Sequence, residues 1–420
     1  MNDSLLSPHW YRVAKLKPRI HHHVQIHRHD YRGLIWYILE DTTTGRSHRF
    51  NPAAYMFIAQ LDGERSVEQI HQLISEQLED YAPSQQEIIQ LLGQLHAADL
   101  IKTDVLINTE ELFWRQSEQK KKQLRQRFIN PVAVKLPLWD PESFLNRHFA
   151  RVRWIFSGWV ALLSATLMIY TVLQAWQHWP QISQHFTINA LTPYNLMLMF
   201  LLYPPIKIVH EFGHAFSAKL EGGEVHEMGI NFLLFMPIPY VNVSTASHFR
   251  SKYKRMLVSA AGILVESFIA ALGLLLFLGA EPGLVQDIGF NMFLIGGISS
   301  LFFNGNPLLR FDGYYVFADA IEIPGLGNRA NQYYKYLIQR YLFDVKEVKS
   351  PVTAEGESFW FVTYGAAAFV YRIMILVMIT LFIAGKYFFV GVALAFWAIF
   401  MQLVVPILKA IRYLLKSPAL

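Results

Sequence analysis

The stretch "KIVHEFGHAFSAKL" places His210 and His214 four residues apart with Glu211 between them. On a helix that spacing puts both imidazoles on one face, where they can share a metal ion. Glu211 sits beside them, placed to take a proton from a water that such an ion activates. A hydrolytic zinc site needs three protein ligands and an open position, so two histidines demand a third donor from elsewhere in the chain. The sequence contains no cysteine, so disulfides, thiolate ligands and thiol nucleophiles are excluded and any metal falls to His, Asp or Glu. A second polar stretch, "NGNPLLRFDGYY" at 304–315, ends an apolar run with Asn304, Asn306, Arg310 and Asp312. Its bland reading is a turn at a membrane surface, and its functional reading makes Asp312 the missing ligand.

Both stretches lie in unusual surroundings. Of the 420 residues 53% are hydrophobic and 16% charged, against about 25% charged in ordinary soluble domains. The deficit falls after residue 150, where apolar runs approach the roughly 20 residues that cross a bilayer as a helix. Six candidate spans are 153–176, 194–218, 256–280, 286–304, 358–384 and 387–412. The segment 228–243, "MGINFLLFMPIPYVNV", is too short and too broken by proline to span, and reads as a re-entrant or membrane-embedded strand element. Residues 177–193 and 281–287 carry no Lys or Arg, while 249–255, 305–357 and 409–416 are rich in them. The positive-inside rule then puts both termini in the cytoplasm, and the net charge of +5 reflects membrane topology rather than nucleic-acid binding. The first 30 residues lack the apolar core of a signal peptide.

Topology allows the two half-sites to meet. At 1.5 Å per residue, His210 lies roughly 24 Å along the inward-running second span. The fourth span also runs inward and ends near Asn304, delivering Asp312 to the same side. Ionisable groups inside a span are costly and are functional by default. Lys207, one turn before Glu211, is expected to pair with Glu211 or Glu266, and Arg372 to face the bundle. The Pro204–Pro205 pair is expected to kink the second span.

"HEFGH" followed by "NGNPLLRFDG" resembles the site-2 protease family of intramembrane zinc metalloproteases, over roughly residues 190–320. The resemblance implies zinc held by His210, His214 and Asp312, Glu211 as general base, and Asn304 helping to position substrate or stabilise the oxyanion. Asn304 and Pro307 match the family's second motif in place. Between the motifs, "SAAGILVE" keeps Gly262 but has Ile263 and Glu266 where the family often has "AGP" and a later Asn, and Asp312 lies in "RFDGYY" rather than "LDG". These departures resemble a subgroup of peptide zinc metalloproteases that accompany peptide modification or a membrane-fusion adaptor. Such an adaptor would be a separate chain. The implied activity is hydrolysis of a peptide bond in a peptide or transmembrane-segment substrate, whose unwound strand "MGINFLLF" could pair. The alternative is a membrane component of a peptide export complex with a largely structural zinc site.

The N-terminal part reads differently. "VQIHRHD" and "GLIWYILED" have strand character, and "TTTG" supplies a turn before "RSHRF". Three helices should follow: one capped by Asn51 with Pro52 at its first position and stopped by Gly63, and two opened by Ser66 with Gln69 and Ser84 with Glu87. Ile88, Leu91, Leu92 and Leu95 give the last of them one apolar face. In "HHHVQIHRHD", alternation gathers His23, Gln25, His27 and His29 on one face, read as an exposed polar strand face rather than a metal site. The stretch "FNPAAYMFIAQLDGERSVEQIHQLISEQL…IIQLLGQLHAADLI" resembles PqqD-type peptide-recognition domains, which implies a leader peptide added along a strand edge; a docking module without a peptide is the competing reading. Residues 109–130, with Lys120, Lys121, Lys122, Arg125 and Arg127, read as a basic helix against anionic headgroups or a solvated linker, and Trp139, Phe144 and Phe149 lead toward the bilayer.

The expected protein is therefore a polytopic α-helical membrane protein, with about six spans and a re-entrant element, joined to a small cytosolic winged-helix-like α+β domain. Its parts are 1–108, the PqqD-like domain; 109–152, a basic amphipathic linker; and 153–420, the transmembrane region. The expected location is a bacterial inner (cytoplasmic) membrane.

Overall fold

The computed structural model describes residues 10–42, 46–78, 83–102, 133–233, 236–345, 348, 350–400, 404, 405 and 408. The basic stretch 109–130 lies outside the described residues. The chain divides into two compact units: Met1–Trp139 with Gly223–Ile238 and Asn242–Ser251, and Asp140–Gly222 with Pro239–Val241 and Lys252–Leu420.

In the first unit, β1 (Arg19–Ile20) pairs antiparallel with β5 (Ile101–Lys102). Strands β2 (Val24–Tyr31), β3 (Leu34–Asp41) and β4 (Arg46–Phe50) form an antiparallel sheet in that order. The β2–β3 register runs from Val24 opposite Asp41 to Tyr31 opposite Leu34, across a turn in which Arg32 and Gly33 both take positive φ. Helix α1 (Pro52–Ile58) is capped by the Asn51 side chain, which accepts from the Ala54 amide at 2.8 Å. It ends five residues before Gly63, because the Asp62 carboxylate accepts the amides of Glu64 and Arg65 in a tight turn of its own. Gly63 therefore serves the loop, not the helix end. Helices α2 (Val67–Leu78) and α3 (Gln85–Ala97) open on the expected capping boxes, Ser66 with Gln69 and Ser84 with Glu87. Ile88, Leu91, Leu92 and Leu95 bury one face of α3 against Leu39, Phe57 and Ile70.

The histidine strand is not an open polar face. His29 is 2% exposed and stacked on Tyr31. His27 Nε2 lies 3.1 Å from Glu40 Oε2, and His23 Nε2 lies 3.6 Å from Asp41 Oδ1. Hairpin register supplies these carboxylates from β3, a partnership that sequence spacing does not reveal. Burial pushes the Glu40 carboxyl upward, and the hydrogen bond with His27 only partly opposes it.

Strand β6 (Ala133–Trp139) pairs antiparallel with β7 (Met228–Leu233) in a sheet ordered β6, β7, β8, where β8 is Met236–Val241. Within the segment 228–243, Met228–Leu233 and Met236–Val241 are thus strands, the element type its sequence suggests.

The second unit is helical. In chain order it contains α4 (Glu142–Val152), α5 (Gly158–Gln177), α6 (Trp179–Asn189), α7 (Pro193–Leu220), α8 (Lys252–Gly279) and α9 (Leu284–Phe293), the last continuing as a π-helix over Leu294–Asn304. After these come α10 (Asp312–Ala320), α11 (Leu326–Leu337), α12 (Glu357–Ala384) and α13 (Phe388–Ile399). Five helices among the described residues are long and apolar enough to cross a membrane: α5, α7, α8, the continuous Leu284–Asn304 helix, and α12. The sixth expected span, 387–412, is represented by α13, and most of its remainder lies outside the described residues. Helix α7 remains one helical element through Pro204 and Pro205.

Helix α8 is central, with 44% of its apolar window buried against 6% for α5. Small residues let its neighbours approach. A Cβ on Gly273 would stand 2.8 Å from the Gly289 carbonyl, and a Cβ on Gly289 would stand 2.8 Å from that of Gly273. Arg372 does not face the bundle. It is exposed on α12 and donates from Nε to the Ala368 carbonyl one turn back at 3.1 Å, satisfying itself within its own helix.

Candidate metal centre

Helical spacing on α7 presents His210 and His214 together, and both are buried, at 3% and 5% exposure. Asp312 is the first residue of α10, where the helix dipole favours a carboxylate. Its Oδ2 lies 3.1 Å from His210 Nε2 and 3.4 Å from His214 Nε2, and the two Nε2 atoms are 3.1 Å apart. The donors proposed from sequence therefore converge, and these three side chains could hold a metal ion.

The outer edges of the rings decide what the inner nitrogens offer. His214 Nδ1 lies 2.7 Å from the Val258 carbonyl of α8. A carbonyl only accepts, so Nδ1 carries the hydrogen and a neutral ring presents its Nε2 lone pair inward. His210 Nδ1 faces Glu266 Oε1 at 3.1 Å, off the line of a hydrogen bond, so the contact is electrostatic. The His214 lone pair, the His210 Nε2 and a carboxylate oxygen stand within 3.4 Å of one another, a set of ligand atoms that a cation would satisfy.

Gly262 on α8 makes the room. A Cβ there would stand 2.4 Å from both His210 Cε1 and His214 Nε2. No side chain larger than hydrogen fits against this face of the rings.

Glu211 is not a member of the trio. It is half-buried, and its Oε2 accepts the Val241 amide at 2.9 Å. That bond orients the carboxylate through Oε2. Asn304, at the end of the π-helix, donates from Nδ2 to Glu266 Oε2 at 3.0 Å. Because a carboxylate only accepts, the amide nitrogen must face Glu266. π-helical windings often mark functional sites, and this one delivers Asn304 beside α8.

Lys207 contacts Glu266, resolving its choice of partner, and Glu266 is completely buried. Arg310 is exposed and donates to Asn328 at 2.9 Å. The sequence reading did not give Glu266 a role at the centre. The available signal was a carboxylate inside an apolar helix, one turn after Gly262 and so on the same face.

Residues 37–101 match a family model described as coenzyme PQQ synthesis protein D (PqqD). The match covers much of the β3 to β5 region of the first unit and none of the metal-centre residues. No curated protein and no solved structure matches the chain.

Proposed function

We propose that the chain is an intramembrane zinc metalloprotease, hydrolysing a peptide bond in a membrane-associated or peptide substrate. The observation that carries this reading is the convergence of His210, His214 and Asp312, with Glu211 next in sequence to one ligand and held by a backbone amide. Two imidazoles and a carboxylate suit zinc among the divalent metals. When bound, zinc lowers the pKa of a coordinated water and polarises the scissile carbonyl. The chain's own residues do the rest. Glu211 Oε1 takes the proton from the attacking water, while the Val241 amide keeps Oε2 from rotating away. Asp312 and the two histidines, fixed by Val258 and Glu266, hold the donor geometry. Asn304 assists through whichever amide atoms Glu266 leaves free. A substrate helix must unwind first, since its amides are otherwise bonded within the helix.

The test is Glu211→Gln in the purified full chain, assayed in detergent with quenched-fluorescence peptides carrying an apolar stretch interrupted by Gly and Pro. Wild type cleaves and the variant loses about 10²- to 10⁴-fold, with the same zinc content. Turnover retained by the variant would sink the base assignment.

A second reading makes the chain a membrane component of a peptide maturation or export assembly working with a membrane-fusion adaptor; the PqqD match at residues 37–101 supports its peptide-docking first unit. There the first unit docks a peptide and zinc is largely structural. The readings part on one experiment: export of a candidate peptide that persists in Glu211→Gln supports the assembly role.

A further inference from the structure

We infer that Glu266 is a positioning residue that sets two parts of the centre with one carboxylate, His210 through Oε1 and Asn304 through Oε2. This rests on the metal-site reading above. Glu266 is 0% exposed at the middle of α8. Its Oε1 stands 3.1 Å from His210 Nδ1 and also meets the Lys207 ammonium. Its Oε2 accepts from Asn304 Nδ2 at 3.0 Å. Three elements, α7, α8 and the π-helix, are thereby tied at one side chain.

Charge balance alone does not account for this arrangement. A buried Lys–Glu pair can often be replaced by apolar residues of similar volume without loss of stability. What an apolar pair cannot supply is a negatively charged oxygen behind His210, 3.1 Å from Nδ1. Through its charge, that oxygen favours the tautomer with the hydrogen on Nδ1 and the Nε2 lone pair turned toward Asp312. The same carboxylate imposes the orientation of the Asn304 amide, so the ligand set and the assisting residue are ordered together. Lys207 supplies the counter-charge that a buried carboxylate needs in apolar surroundings.

The experiment uses the full chain in detergent, titrated with Co²⁺ and followed by visible absorption, with Zn²⁺ competition to obtain affinities. In the double variant Lys207→Met/Glu266→Leu the pair is replaced by apolar side chains, and thermal melting reports whether the fold survives. The expected result is a wild-type melting temperature with Co²⁺ and Zn²⁺ affinity lowered about 10- to 100-fold and a changed Co²⁺ spectrum. If the double variant does not fold, Lys207→Met/Glu266→Met, which stays closer to the wild-type side-chain volumes and leaves neither charge buried alone, carries the same test. Wild-type affinity and spectrum in a folded variant overturn the inference and reduce Glu266 to the counter-charge of Lys207. A wild type that takes up no Co²⁺ or Zn²⁺ overturns the metal reading itself, and this inference with it.

Discussion

Gly262 on α8 lies against the His210 ring so closely that a Cβ would come within 2.4 Å of Cε1 and 2.5 Å of Nε2. The opposing helix thus shapes the centre by what it omits. Gly262→Ala should lower zinc affinity at least tenfold and destabilise the fold by about 1–3 kcal/mol through overpacking. Gly279→Ala, where a Cβ meets nothing within 4 Å, serves as the control and should leave zinc content unchanged. Metal analysis of the two purified variants checks both outcomes.

Asp312→Ala removes the donor that joins α10 to the two histidines. With two ligands left, zinc content should fall from about one per chain to well under half, since hydrolytic zinc sites rest on three protein ligands. Glu211→Gln should keep its zinc. A variant at Asp312 that retains full zinc would place the third donor elsewhere.

Arg329 and Glu357 make a two-pronged pair, Nη1 to Oε1 at 2.6 Å and Nη2 to Oε2 at 2.5 Å. Glu357 also accepts the Thr353 and Ala354 amides. With the pair at 14% and 4% side-chain exposure, Arg329→Met leaves a mostly buried carboxylate without its cation. The expected loss is about 3 kcal/mol, read as a lower melting temperature with zinc binding intact, because the metal-centre residues make none of these contacts.

His185 on α6 packs its ring against Phe277 and Phe290, with Asp287 Oδ1 at 3.4 Å from Nε2. Burial lowers its pKa below the ordinary 6.5, and Asp287 only partly opposes this. The unfolded chain then binds the proton more readily than the folded one, so stability is full above 6.5 and falls as pH drops through 6.5 toward the lowered value. His185→Gln should flatten that part of the pH–melting profile relative to wild type. Parallel slopes for the two proteins between pH 7.5 and 5.5, about one unit either side of an ordinary imidazole, would exclude the effect.

Ser84 caps α3 by accepting the Glu87 amide at 3.3 Å, while Glu87 returns a bond to the Ser84 amide at 2.9 Å. Ser84→Ala should cost the first unit about 1 kcal/mol. Hydrogen exchange at the α3 amides should quicken by about fivefold, the same free energy read locally.

What the sequence determined was local. Ser66 with Gln69 and Ser84 with Glu87 announce helix starts because a capping box is closed within four residues. His210 and His214 share a face because helix pitch makes them do so. Apolar length alone marked five helices that the structure also shows as long and apolar enough to cross a membrane. Asp312 as the third donor was already a reading across 98 residues, made possible by the direction of two spans, and the structure sets its oxygen 3.1 Å from His210. Tertiary structure decided the rest. That Lys207 meets Glu266, that Glu266 reaches both His210 and Asn304, that Val258 turns the His214 ring, and that Glu40 partners His27 all depend on which faces of separate elements meet. Local propensity is blind to that choice, because it is set by side-chain packing between elements far apart in the chain.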